Sequence, residues 1–194
     1  QAGGNAEQHQ RYIPSIIDGS SQWAFAFAEP GSGYDFAAID TTAEIQGEGY
    51  VLNGRKLAVL NAHCANHIIV LARTGGAARE RAGITLFVVN ADAPGLSRDN
   101  FVALDGSRGA HINLDSVTLT VGQALGEVDA GLMLVESVVD TAIVTLGAEA
   151  LGAMQALLDA TVEYTKTREQ FGQPISKFQA LQHSMADMYM KVEE

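Results

Sequence analysis

Three short stretches carry side chains whose types and spacing could do chemistry. In "TREQFGQPI", residues 167–175, Arg168, Gln170 and Phe171 come just after a long alanine-rich run. A guanidinium offers a phosphate a planar fork of donors, an amide adds a neutral hydrogen bond, and a phenyl ring walls a flat group. Helix termination explains part of the same stretch. Gly172 suits a left-handed stop, Pro174 cannot continue a helix, and the charge of Arg168 favours the negative end of a helix dipole. The second stretch, "EPGSGYD" at 29–35, is glycine-rich. A dinucleotide fingerprint needs a third glycine opening a helix, but Phe36 stands there between strand-like runs, so a tight β turn is expected. The third, "NAHCANH", sets His63 and His67 four apart around Cys64. It leads straight into the strand-like "HIIVLAR" with no second ligand cluster, so surface polar residues beside a buried thiol are expected and no metal is assigned. Ser20 and Ser21 lack the Gly-x-Ser-x-Gly elbow of a nucleophile.

The elements that must position these groups fall into three textures. "NAEQHQRYIPSIIDG" reads as a short helix, with Asn5 as cap, Gln8 reaching back from three residues on, Gly19 as left-handed stop and Pro14 disturbing the middle. Residues 22–121 alternate short β-like runs with glycine and polar turns, which predicts one compact antiparallel β domain. Asn53-Gly54 within it predicts a two-residue hairpin tip. From 132 to 168 apolar residues recur at steps of three to five, which predicts one long helix. Gly147, Ala148, Ala150, Gly152, Ala153 and Ala156 form a small-residue face that wants helical neighbours. A last helix is expected near Ser176, capped by Ser176 and Gln179.

Composition narrows the partners. The formal net charge is -11, from 23 acidic against 12 basic residues, so a phosphate backbone would be repelled and nucleic acid is discounted. The most apolar stretch, 132–154, is interrupted by Glu136, Asp140 and Glu149, and neither a membrane span nor a targeting segment is expected. The single cysteine, Cys64, fits a reducing compartment, and the cytoplasm is the expected location. The opening at Gln1 and the helical "MKVEE" ending suggest a piece of a longer chain.

In order and spacing, "RYIPSIIDGSSQWAFAFAEPGSGYD", "GYVLNGRKLAVLNAHCANHIIVLAR" and "AEALGAMQALLDATVEYTKTREQFGQPISKFQALQHSMADM" resemble the acyl-CoA dehydrogenase family over nearly the whole chain. "TREQFGQPISKFQ" is the most specific segment. The resemblance implies an α+β fold: 1–20 as the end of an N-terminal helical domain, 21–125 as the middle β domain, and 126–194 as the first part of a C-terminal helical bundle. It implies FAD bound between two subunits and oxidation of the Cα–Cβ bond of an acyl-CoA. It also implies a homo- or hetero-oligomer with another acyl-CoA dehydrogenase subunit and an electron-transfer flavoprotein-like acceptor. The heteromeric branch acting on dicarboxylyl-CoA substrates such as pimeloyl-CoA is the nearest likeness in the motifs.

Carried over by position, the resemblance places Arg168 and Gln170 at the flavin pyrophosphate of an adjacent subunit, with Phe171, Ile175, Phe178 and Leu181 bordering the adenine end. Phe27, Ala28, Tyr34, Ala58 and Leu60 fall at the chain's own flavin face. There the family's usual threonine, serine, tryptophan and threonine are replaced by Ala28, Tyr34, Ala58 and Leu60. A usual Glu-Arg pair is replaced by Ala142 and Ile143. The family's catalytic glutamate falls beyond residue 194, so the catalytic residue is unknown. Two readings follow, an enzyme subunit with its own flavin and a non-catalytic partner that completes a neighbour's site. A cofactor-free scaffold is a third, which the intact "TREQFG" speaks against.

Overall fold

A computed structural model describes residues 3–194. Helix α1 (Ala6–Ile17) starts on the expected cap: Gln8 N–H donates to Asn5 Oδ1 at 2.9 Å, and Asn5 N–H donates to Gln8 Oε1 at 3.1 Å. Pro14 lies inside the helix without ending it, and Gly19 beyond it is left-handed (φ 76°). The buried Gln8 amide also donates to the carbonyls of Gly122 (3.1 Å) and Ala124 (2.8 Å), fastening α1 to the β domain.

The β strands follow: β1 (Trp23–Ala26), β2 (Thr42–Gln46), β3 (Gly49–Leu60), β4 (His67–Arg73), β5 (Ile84–Asn90), β6 (Leu96–Val102), β7 (Arg108–Thr120) and β8 (Ala124–Leu125). They make one sheet in the order β6-β7-β3-β2-β4-β5-β8, with β1 also on β4. Most pairs are antiparallel, as the turn-rich texture predicts. The β1–β4 pair is parallel, Trp23↔His67 to Ala26↔Val70, and β2 meets β4 in parallel at Thr42↔Arg73, so the sheet is mixed. A parallel return needs a long connection, and residues 27–66, holding β2 and β3, supply it. The core gathers alternate residues of the long strands, among them Leu52, Val59, Ile68, Val70, Phe87, Val89, Ile112 and Val117. Arg73, ending β4, donates to the carbonyls of Ala37, Ile39, Gly75, Glu80 and Ala82, which pins two loops to one guanidinium.

Asn53-Gly54 is not a hairpin tip. β3 runs through it, and the β2–β3 turn comes earlier, between the paired Gln46 and Gly49. The reason is non-local: Asn53 Oδ1 accepts from Ser116 N–H (2.8 Å), and Gly54 lies against Thr41, whose Cα would stand 2.7 Å from an added Cβ. The pair is therefore an irregularity in the β3–β7 register, where two backbones approach closely.

By contacts the chain divides after Ser137. Helix α2 (Gly131–Thr167) crosses that division, and a minimal hairpin, β9 (Glu169–Gln170) with β10 (Gln173–Pro174), leads to α3 (Gln179–Glu193). α3 starts three residues later than expected. Residues 175–177 form a 3-10 turn, and the cap position falls to Phe178, extended at φ -81° and ψ 123°, with no side-chain cap bond from Ser176. Much of α2 leaves apolar side chains exposed, including Val138, Ile143, Val144, Leu146 and Leu151. By length and mean hydropathy (1.6), α2 is long and apolar enough to cross a membrane.

Candidate functional site

The "TREQFGQPI" stretch is a two-residue β hairpin. α2 ends at Thr167, Gln170 pairs with Gln173 and Glu169 with Pro174, and the tip is Phe171-Gly172. Both tip residues have positive φ, 54° and 78°, as a type I′ turn requires. Gly172 is thus not the left-handed stop of the long helix but the second residue of this turn. Gly172 takes that conformation freely, whereas Phe171 carries a steric cost of roughly 1–2 kcal/mol. The hairpin thereby projects Phe171 outward, 91% exposed, its ring meeting Phe178 edge-on at 6.0 Å.

The main chain of Arg168 is fixed on both sides. Its N–H donates to Tyr164 O (2.9 Å), and its carbonyl accepts from Ile175 N–H (2.8 Å). Its guanidinium is exposed and has no acceptor among the described residues. The Gln170 amide donates to its neighbour's carbonyl, Glu169 O, at 2.7 Å. Ile175, Phe178 and Leu181 are half-buried in the turn behind the hairpin, where Phe178 N–H donates to Ile175 O and Leu181 N–H to Phe178 O. One free cation, one amide and one aromatic ring therefore share a rigid, solvent-facing turn. Such a group can bind an anion that carries a flat ring.

In the β domain, four of the five residues expected at one face come from two segments joined by a backbone rung, Leu57 N–H to Ala28 O at 2.8 Å. Phe27 and Ala28 are half-buried, Ala58 and Leu60 are exposed, and Tyr34 is 99% exposed on the neighbouring glycine turn. Phe27 continues an aromatic row, 5.4 Å from Phe25 and 5.1 Å from Phe36 between ring centroids. Ala58 is left-handed (φ 50°) and its N–H donates to His111 Nδ1 at 3.1 Å. "EPGSGYD" forms a turn closed by Ser32, whose hydroxyl donates to Glu29 O and accepts from Glu29 N–H, both at 3.0 Å.

Beneath this face lies a pair that reading the sequence missed. Glu29 and Lys56 are both buried and meet at 2.5 Å. The carboxylate also accepts from Asp40 N–H (2.6 Å) and Thr41 N–H (3.1 Å). Burial pushes the Glu29 carboxyl up, but the Lys56 charge and the donated hydrogen bonds outweigh it and leave the pKa below the usual value. Burial pushes the Lys56 ammonium down to about 8 against the opposing pull of Glu29 and Asp40. A lysine at an inward position of a strand that otherwise turns Leu52 and Val59 to the core was the available signal, because such a charge requires an acid.

The histidine–cysteine stretch gathers no metal site; among the described residues no group of three or more His, Cys, Asp or Glu is placed to hold one. Cys64 is exposed rather than buried, because it sits in a turn with its sulfur facing Asn61 Oδ1 at 3.2 Å. His67 stacks on Trp23 at 4.6 Å, and Tyr12 meets both rings edge-on. Partial burial, then the Arg11 charge, lower its pKa. Ala142 and Ile143 lie exposed on α2.

With this geometry in view, the comparisons with known proteins agree on one family. Residues 24–117 match "Acyl-CoA dehydrogenase, middle domain", and residues 129–194 match "Acyl-CoA dehydrogenase, C-terminal domain". The chain belongs to the acyl-CoA dehydrogenase family, and its α+β fold is of that kind. It is 36% identical over 192 residues to 3-(aryl)acrylate reductase of Clostridium sporogenes, covering 97% of this chain and 51% of that protein. It is 36% identical over 193 residues to mitochondrial isovaleryl-CoA dehydrogenase of Pongo abelii, covering 97% and 46%. The solved FAD complex of PigA superposes with a TM-score of 0.93 at 28% identity, covering 98% of this chain and 50% of that one. The chain thus spans about half the length of the curated relatives it matches. α2 falls wholly within the matched C-terminal domain.

Proposed function

We propose that this chain is part of a subunit of an FAD-dependent acyl-CoA dehydrogenase, and that its hairpin completes the flavin site of a neighbouring subunit. The observation that carries this reading is the hairpin itself, with the Arg168 guanidinium free in solvent and Phe171 held outward in a left-handed conformation. The FAD complex of PigA and the dehydrogenases among the relatives support it.

The cofactor fits this half of the chain. Arg168 would pair with the pyrophosphate, Gln170 would add a neutral bond, and Phe171, Ile175, Phe178 and Leu181 would border the adenine. Bound FAD would supply the acceptor for the hydride leaving the β carbon of a thioester, while the protein supplies orientation and electrostatics. At the chain's own face, Phe27, Ala28, Ala58 and Leu60 offer apolar contact and Tyr34 a phenol. The substrate would be an acyl-CoA, with a dicarboxylyl-CoA such as pimeloyl-CoA suggested by the sequence likeness alone. The partners would be another acyl-CoA dehydrogenase subunit and an electron-transfer flavoprotein-like acceptor, in the cytoplasm. Domain limits of 1–20, 21–125 and 126–194 complete the reading.

One observation favours a second reading. Relative to the family pattern, Ala28 lacks a hydroxyl and Ala58 a stacking ring, on the order of 1–3 kcal/mol each where buried. A face so depleted suits a subunit that binds little flavin itself and serves its partner's. Flavin absorbance of the full-length protein, purified alone and co-expressed with a second acyl-CoA dehydrogenase subunit, tests both. Flavin in the assembled protein is expected. Its absence from every assembly contradicts the proposal, and a fully loaded monomer contradicts the hairpin's role toward a neighbour.

A further inference from the structure

We infer that Glu29 and Lys56 are positioning residues for the face made by Ala28, Ala58 and Leu60, an inference that rests on the flavin reading above. The geometry places the pair on the two segments that carry that face. Glu29 follows Ala28 directly, and Lys56 precedes Ala58 by two residues on β3. Between them runs the rung from Leu57 N–H to Ala28 O. The side chains joined at 2.5 Å are buried while Ala58 and Leu60 are exposed, so the pair links the two segments from the buried side. The same carboxylate takes Asp40 N–H and Thr41 N–H, and Thr41 backs onto Gly54. One buried carboxylate therefore ties residues 28–29, 40–41 and 54–57, and no other charged side chain among the described residues is fully buried. A core needs no such pair for stability, since apolar groups of equal volume serve as well or better, whereas holding a fixed arrangement is a use that such pairs can have. The titration of Lys56 fits a charge held against burial, with Glu29 bonded to it and Asp40 nearby.

The test uses the full-length protein and two readouts. The first is amide exchange at Asp40, Thr41 and Leu57, compared with Phe87 and Val89 in β5. The second is the dissociation constant for FAD. Lys56→Met should speed exchange at the first three amides at least tenfold, leave β5 unchanged, and weaken FAD at least tenfold. The double variant Glu29→Gln, Lys56→Met removes both buried charges and guards against a lone ion unfolding the domain. It should keep β5 protected while FAD stays at least tenfold weaker. Exchange that rises uniformly, or not at all, overturns the positioning role, as does local loosening with unchanged FAD affinity. A wild-type assembly without FAD would overturn the proposed function instead, and the exchange arm would still decide this inference.

Discussion

Lys56 sits where water cannot share its charge, so its proton reports on the fold. Its native pKa of about 8 lies below the ordinary 10.5. Between those values the unfolded chain holds a proton that the native state has released, and stability gained through this residue rises with pH. The effect is flat below about 8 and complete above the ordinary lysine value. Urea unfolding of the full-length protein from pH 7 to pH 10 checks this. The wild-type stability minus that of Lys56→Met should grow by up to about 1.4 kcal/mol per pH unit across the window. A constant difference would contradict it. At this scale the grouping of Arg168, Gln170 and Phe171 in one turn was legible in sequence, because the three are neighbours in the chain. The Glu29–Lys56 pair was not, because its members are 27 residues apart and meet only after β3 pairs.

At the scale of elements, local grammar predicted what local forces decide. The capping box of α1, the span of α2 and the β texture of the middle region all depend on residues a few places apart. Asn53-Gly54 misled because its composition is that of a turn while its partners, Ser116 and Thr41, come from distant segments. "SKFQ" misled for a local reason, since the hairpin and the 3-10 turn after it postpone α3 to Gln179. Gly54→Ala tests the account of the first. An added Cβ would lie 2.4 Å from Thr41 Oγ1 and 2.7 Å from its Cα, so backbone must shift. The expected loss is on the order of 1–3 kcal/mol in thermal or urea unfolding. A neutral substitution would mean that the β3 irregularity has room that this geometry denies.

At the scale of the molecule, two family domains follow one another, and each leaves surface for something further. α2 shows Val144 at 74% and Ile143 at 60% exposure, more apolar surface than a lone helix in water keeps without a partner. The hairpin leaves a cation unmatched, and the face at Ala28 and Ala58 offers few polar groups. Under the function proposed above, the unmatched cation and the sparse polar groups at that face share one explanation, an assembly where the hairpin of one subunit meets the flavin of the next. The most direct test is the FAD dissociation constant of the assembled full-length protein carrying Arg168→Ala, read beside its melting temperature. An ionised pair contributes about 1.5–3 kcal/mol, so affinity should fall roughly ten- to a hundred-fold. The melting temperature of the flavin-free protein should barely change, because an exposed helix-end charge contributes only about 0.3–1 kcal/mol. Unchanged FAD affinity with a large drop in melting temperature would show Arg168 to be a prop for the helix end, contradicting its role as a ligand.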